Sequence, residues 1–137
     1  MTEIEKKKEY LKSYERAVRQ MERRAERIKE MRLGQIIPST DNNGMPHAHN
    51  AADMSGYVAL LDAEERKYLK ARYRCVRLCK EITDKIERMG QDNEKDILLY
   101  RYIQRMSWEQ IAVKMNYSWQ WVHKIHAKAL HDFKIGD

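Results

Sequence analysis

The sequence predicts an all-α protein, in which a long antiparallel, coiled-coil-like helical hairpin over residues 1–90 precedes a compact unit of three shorter helices over residues 91–137. Three observations support this fold class. The chain is rich in charge and poor in helix breakers, with 35% charged residues but only five Gly and two Pro. Apolar residues recur at coiled-coil spacing in two long segments. The last third contains short apolar periods that follow helix-capping residues.

The first long helix is predicted from Glu3 to Leu33. Thr2 and Glu5 have the spacing of a capping box, which satisfies two backbone donors at a helix start. Gly34 is suited to end the helix, because glycine adopts the conformation that terminates helices most easily. The apolar stripe has a 4-3 spacing, broken at Lys7, and consists of Ile4, Leu11, Tyr14, Val18, Met21, Ala25 and Ile28.

The second long helix is predicted from Asp53 or Ser55 to Met89, with Gly90 as its end. Residues 35–52 precede it and are rich in turn formers without any period, so they are predicted to be a loop. The second stripe consists of Val58, Leu61, Tyr68, Cys75, Cys79, Ile82, Ile86 and Met89. Glu65 and Arg72 interrupt it, and we expect them to fix the register by pairing within the hairpin or across a dimer.

Neither long helix has an apolar stripe wide enough to persist alone, so each needs a partner. The sequence leaves open whether this partner is the other helix, a second subunit or both. A homodimer formed through residues 1–90 is therefore one expected assembly.

Three short helices are predicted after Gly90. The first covers about Asn93–Arg105. The second follows Ser107, which forms a capping box with Gln110, and the third runs from about Trp119 to Phe133. The residues predicted to face inward are Ile97, Leu98, Ile103, Trp108, Ile111, Ala112, Met115, Val122, Ile125, Ala129, Leu130 and Phe133.

The connection between the last two helices has the features of a helix-turn-helix. Ala112 is small enough for a close helix crossing, and Asn116 tolerates the positive φ that such a turn needs. Tyr117 can fill the gap between the helices. Ser118 can cap the last helix, whose N-terminal residues would then face the major groove of DNA.

The string RYIQRMSWEQIAVKMNYSWQWVHKIHAKAL, residues 101–130, resembles region 4 of sigma-70-type factors, the part that reads the −35 promoter element. More narrowly, the whole chain is similar in layout to small phage and prophage proteins with a region-4-like C-terminus, which overlap with the RinA- and ArpU-type late-gene regulators. This resemblance implies sequence-specific binding of double-stranded DNA in transcriptional regulation of late genes. Because residues 1–90 are predicted to form only hairpin and loop, we do not expect a complete sigma factor.

The DNA-binding candidates follow from the motif. Gln120 could bond bidentately to adenine and Lys124 to guanine or phosphate, while Trp119 and Trp121 could pack on thymine methyl groups. The full candidate set is Ser118, Trp119, Gln120, Trp121, His123, Lys124, Lys128, Arg105 and Lys114. The alternative for the two tryptophans is a subunit or hairpin contact, and for Arg105, Lys114 and Lys128 a solvated surface. The segment from Arg101 to Lys134 carries six basic residues against Glu109 and Asp132, as phosphate contacts require.

The sequence is also compatible with two other function classes. A DNA-packaging component such as a small terminase subunit also joins a helix-turn-helix to long helices, although it usually places the DNA-binding part first. A protein-interaction module that binds RNA polymerase is the other alternative. RNA polymerase is therefore an expected partner beside double-stranded DNA.

An enzyme is not expected, because the sequence has no phosphate loop, nucleophile motif or paired carboxylates. No cofactor is expected either. His47 and His49, with Asp41 or Asp53, could bind a metal, but no second cluster stands at ligand spacing, so no metal site is predicted. Cys75 and Cys79 are interpreted as buried thiols. No segment resembles a membrane span or a secretion signal, which predicts a cytoplasmic protein in a bacterial host cell.

Overall fold

The structure is a computed structural model, and it describes residues 1–34 and 51–136, with side chains from residue 54 onward in the second range. Every regular element among the described residues is a helix. They form two compact units, one of residues 1–17 and 75–137 and the other of residues 18–74. Residues 35–50 of the predicted loop lie outside the described residues, and so do the metal candidates His47, His49 and Asp41 and the side chain of Asp53. The predicted loop ends two residues too late, because residues 51 and 52 already belong to the second long helix.

Two long helices were predicted, and both are present. Helix α1 is Glu3–Arg32 and helix α2 is Ala51–Glu87. The predicted capping box at the start of α1 is confirmed. The Thr2 backbone N–H donates to Glu5 Oε2 at 2.9 Å, and the Glu5 N–H donates to Thr2 Oγ1 at 3.2 Å. Gly34 follows α1 with a φ of 76°, as expected of a glycine that ends a helix.

Within the unit of residues 18–74, the two helices run antiparallel. The Tyr57 hydroxyl donates to the Met31 carbonyl at 3.3 Å. Arg27, which precedes Met31 on α1, pairs with Glu64, which follows Tyr57 on α2. The predicted register role of Glu65 is supported by its ion pair with Arg32 on the facing helix. Arg72, the other residue predicted to fix the register, is exposed.

The predicted stripes are wrong at two positions in this unit. Val58 is 58% exposed, whereas Glu64, which was not assigned to the stripe, is only 3% exposed. On α1, Ala25 is exposed as well. Glu64 is buried because Arg24, Arg27 and Lys67 surround its carboxylate, and Ala25 lies at the edge of an open groove between the two helices.

Three shorter helices follow. Helix α3 is Asp92–Leu98, helix α4 is Trp108–Met115 and helix α5 is Trp119–Asp132. The first was predicted to run as one α-helix to Arg105. Instead, a π-helical turn over Leu99–Ile103 follows α3 without a break. The chain then reverses through Arg105, whose φ of 57° ends the helical stretch.

The main core of the unit of residues 1–17 and 75–137 is built from α1, α2, α3, the π-helical turn and the end of α5. Leu11 of α1 and Ile82 and Ile86 of α2 are fully buried in it. The short helices contribute Leu98, Tyr102, Ala129, Leu130 and Phe133 to the same cluster. The base of the hairpin and the C-terminal helices therefore share one hydrophobic core. The domain boundary at residues 90 and 91 stays a prediction from the sequence, since the compact units divide the chain elsewhere.

Lys7, the break in the first stripe, has a specific contact in this unit. Its ammonium donates to the backbone carbonyl of His131 at 2.9 Å. The last carbonyls of a helix lack intrahelical partners and carry partial negative charge. Lys7 therefore stabilises the C-terminal end of α5 from α1.

Cys75 is buried and Cys79 is half-buried, and no disulfide joins them. In the part of the chain that the structure describes, no helix is both long and apolar enough to cross a bilayer.

Candidate nucleic-acid interface

Helices α4 and α5 and the turn between them have the predicted geometry. Ser107 caps α4 in a complete capping box, with the Ser107 N–H donating to Gln110 Oε1 at 2.9 Å and the Gln110 N–H donating to Ser107 Oγ at 3.2 Å. Asn116 adopts the left-handed conformation, with φ 58° and ψ 44°. The Tyr117 N–H then donates back to the Ala112 carbonyl at 3.0 Å and closes the turn.

A small second core holds these two helices together. Ile111 of α4 and Val122 of α5 are fully buried, and Ile125 is almost so. Ile97 of α3 joins the same cluster, and Tyr117 packs against it from the turn. The inward-facing positions predicted for the last two helices are confirmed.

The first turn of α5 is exposed. The Ser118 hydroxyl accepts the Trp121 backbone N–H at 3.1 Å, which caps the helix as predicted. Trp119 is 52% and Trp121 47% exposed, and Gln120 between them is exposed too. No acidic residue lies in this turn. The partial positive charge at the helix start is therefore not compensated locally, which favours an approaching anion.

A polar stripe continues from this turn along α5. Gln120, Lys124 and Lys128 are all exposed, and their spacing of four residues places them on one side of the helix. The other two basic candidates lie on other elements. Lys114 is exposed near the end of α4, and Arg105 is exposed in the connection before α4.

His123 differs from the other candidates, because its ring is packed between two tryptophans. Its centroid lies 4.0 Å from that of Trp119 and 4.6 Å from that of Trp108. Its Nε2 is buried and has no hydrogen-bond partner among the described residues. His123 therefore presents no polar edge on this side and instead supports the ring of Trp119. The spacing of four residues between Trp119 and His123 is the signal from which this pairing could have been read.

Trp108 also contacts Arg101. The Arg101 guanidinium lies 4.4 Å from the Trp108 ring centroid, as in a cation–π contact. The same guanidinium donates to the Met106 carbonyl at 3.0 Å. Arg101 thereby connects the π-helical turn to the start of α4.

The burial of two polar residues, Tyr102 of the π-helical turn and His126 of α5, was not predicted. The Tyr102 hydroxyl and His126 Nε2 lie 2.8 Å apart. Burial, together with nearby positive charges, lowers the pKa of His126 to about 4. Burial likewise raises the pKa of Tyr102 to about 12. At neutral pH both are uncharged, and the imidazole tautomer sets which of the two donates.

A pair of carboxyl groups joins α3 to α5. Glu94 is 2% exposed and shares a hydrogen bond with Asp132. Burial and the neighbouring Asp132 raise the pKa of Glu94, while the hydrogen bonds from Glu94 and His131 lower the pKa of Asp132. The shared proton therefore resides on Glu94.

An exposed second helix, set by a tight left-handed turn against a capped first helix, defines a helix-turn-helix. Residues 91–134 match the family model described as Sigma-70, region 4, which covers about a third of the chain. By this match, the C-terminal part is similar to a family of DNA-binding regulatory domains that is not enzymatic. Neither the curated proteins nor the solved structures compared with the chain gave a match.

Proposed function

We propose that this protein is a sequence-specific, double-stranded-DNA-binding regulator of phage or prophage late genes, and that α5 is its recognition helix. The observation that carries the proposal is the exposed N-terminal turn of α5. A recognition helix needs exposed polar and apolar side chains at its start, and Trp119, Gln120 and Trp121 supply them.

Within this proposal the candidate residues have different roles. Gln120 and Lys124 read base edges, and Trp119 and Trp121 contact thymine methyl groups or the sugar edge. Lys128, Lys114 and Arg105 contact phosphates. His123 acts indirectly, because its ring holds Trp119 in place.

Selection of binding sequences from a random duplex pool, followed by fluorescence anisotropy, tests the proposal. The wild-type protein is expected to enrich one sequence and to bind it at least about a thousandfold more tightly than random duplex. The double variant Gln120→Ala, Lys124→Ala is expected to lose most of this preference. Lys80→Ala removes a comparable exposed charge from α2 and should leave the preference intact. A wild-type protein without any sequence preference would contradict the proposal.

A homodimer is the assembly we propose for this regulator. The unit of residues 18–74 leaves large apolar side chains exposed, with Leu69 at 58%, Tyr73 at 69% and Leu33 at 63%. Leu33 and Leu69 also line a groove of about 480 Å³ together with Ile28. Apolar surface of this kind is typical of interfaces, and a twofold pairing would match two operator half-sites.

Sedimentation equilibrium tests the dimer. Leu69→Glu with Tyr73→Glu is expected to yield a monomer with unchanged helicity. Lys12→Glu with Gln104→Glu introduces the same residue type at exposed positions outside residues 18–74 and should leave the dimer intact. A wild-type monomer at all concentrations would contradict this assembly, and a large ring would favour a packaging component.

RNA polymerase is the second partner we propose for the region-4-like module. Val113 on α4 favours this contact, since it is 83% exposed and lies beside Lys114. Capture of purified core polymerase by the immobilised protein is expected, and the uncharged variant Val113→Ser should weaken it while leaving DNA affinity unchanged, because it adds no negative charge beside Lys114. Equal capture by wild type and variant would remove Val113 from this role.

A further inference from the structure

The unit of residues 18–74 has a strongly cationic depression on its surface. It has a volume of about 550 Å³ and lies between α1 and α2. Its lining consists of Gln20, Arg23, Arg24, Arg27, Lys67 and Lys70, with Ala71 as the one apolar member. None of the lining residues is acidic.

A buried carboxylate lies against these cations. The side chain of Glu64 is 4% exposed, and its carboxylate pairs with Arg27 at 3.3 Å and with Arg24 at 3.8 Å through Oε2. Lys67 approaches the other carboxylate oxygen, Oε1, at 3.3 Å. Burial alone would raise the pKa of Glu64, but Lys67 and Arg27 outweigh it and hold this pKa below its ordinary value.

Glu64 therefore holds Arg24, Arg27 and Lys67 in place without neutralising the positive charge of the depression. Five cationic side chains against one carboxylate leave four net positive charges around the depression. Like charges held this close repel one another, so an anion that bridges them would be bound favourably. The arrangement is a preorganised anion site rather than a set of independent surface charges.

The lining identifies the kind of anion. A protein partner normally needs apolar or aromatic anchors at the centre of its interface, and this lining offers only Ala71. A phosphodiester backbone needs only closely spaced cations, and arginine guanidinium groups match phosphate geometry best. The spacing of Arg23, Arg24 and Arg27 presents three such groups from little more than one turn of α1.

We propose that this depression binds the phosphate backbone of duplex DNA, independently of sequence, as a second contact surface beside α5. The identity of the polymer as DNA rests on the function proposed above. The phosphate-binding property does not, because it follows from the lining alone.

The test uses the full chain and two duplexes, the selected sequence and a random one, in fluorescence anisotropy between 50 and 200 mM salt. The variant is Arg23→Ala, Lys67→Ala, Lys70→Ala, which keeps Arg24 and Arg27 on Glu64. Affinity for both duplexes is expected to fall by the same factor, at least about tenfold. The slope of log affinity against log salt should become shallower by up to about 2.7, since each lost phosphate contact removes about 0.9.

A matched control variant is Lys6→Ala, Lys12→Ala, Lys80→Ala, which removes three exposed lysines from the other unit. It should change the slope less, and circular dichroism should show both variants fully helical. A wild-type slope for the depression variant would overturn this inference, whatever α5 does. If wild type shows no sequence preference but the depression variant still weakens binding to random duplex, the function proposed for α5 fails and the phosphate site stands.

Discussion

The hydroxyl of Tyr102 and Nε2 of His126 form a 2.8 Å hydrogen bond that is buried between the π-helical turn and α5. The pair lies on the buried face of α5, whereas the DNA-binding candidates of this helix lie on its exposed face. Because the pKa of His126 is lowered to about 4 from 6.5, the imidazole stays uncharged at neutral pH and shares a neutral hydrogen bond with the tyrosine.

Acid is expected to destabilise the fold through His126. Its folded pKa lies below its unfolded value, so the unfolded chain takes up a proton first as the pH falls. The stabilisation is complete above about pH 6.5, declines below it, and is lost once the pH passes below about 4, for a total of about 3 kcal/mol. Urea unfolding at several pH values measures this. His126→Gln should flatten the profile in that window, and an unchanged profile would contradict the assignment.

Replacement of Glu94 by glutamine should stabilise the protein at neutral pH. The folded pKa of Glu94 is raised, so its contribution is present below the unfolded pKa of about 4.5 and is lost as the pH rises through the folded value. An uncharged amide removes this loss, so the variant is expected to unfold at a higher temperature than the wild type at pH 7. Thermal unfolding at pH 7 and pH 4 should show the gain at the higher pH alone. A loss at pH 7 would mean that the ionised carboxylate is stabilising.

Replacement of Glu64 by glutamine should destabilise the protein most at low salt. The carboxylate is covered by Arg24, Arg27 and Lys67, and without its charge these cations repel one another. Since the folded pKa is lowered, the stabilisation exists above the unfolded pKa and is lost as the pH falls through the folded one. Melting temperatures at 20 mM and 1 M salt, both about neutral pH, measure this. Asp62→Asn on the exposed side of α2 is the control, and an equal difference at both salt concentrations would exclude repulsion as the cause.

Replacement of His123 by another aromatic residue should preserve DNA binding, whereas replacement by alanine should not. It fills the space between Trp119 and Trp108, with centroid distances of 4.0 and 4.6 Å. His123→Ala is expected to weaken binding to the selected duplex about tenfold by releasing Trp119, and His123→Phe should restore most of it. If His123 reads bases directly instead, both variants will shift the selected sequence rather than only the affinity.

The short-range signals in the sequence predicted the helix caps and the turn before α5 well. The capping boxes at Thr2 and Ser107 and the left-handed turn at Asn116 depend on neighbours within three or four residues, and all three are present. The exposed candidates on α5 also follow from the helical period once Ser118 fixes the helix start.

Features that depend on distant partners were not predictable in this way. Glu64 is buried because arginines from α1 cover it, and nothing near it in the sequence distinguishes it from Glu65. His126 reads as a polar helix residue until Tyr102 is known to lie opposite its ring. The π-helical turn at Leu99–Ile103 has no simple sequence signal either, because it inserts one residue per turn into an otherwise regular apolar period.

The hydrophobic core that Leu11, Ile82 and Ile86 share with the C-terminal helices limits how this protein can be dissected or recombined. A fragment that starts at residue 91 would expose Leu98, Leu130 and Phe133 to water, so it would aggregate or remain partly unfolded. A chimera that transfers the DNA-binding specificity would have to include residues 1–17 and 75–90 together with the C-terminal helices. A shortened protein in which a linker joins residues 1–17 to residues 75–137 would keep this core covered.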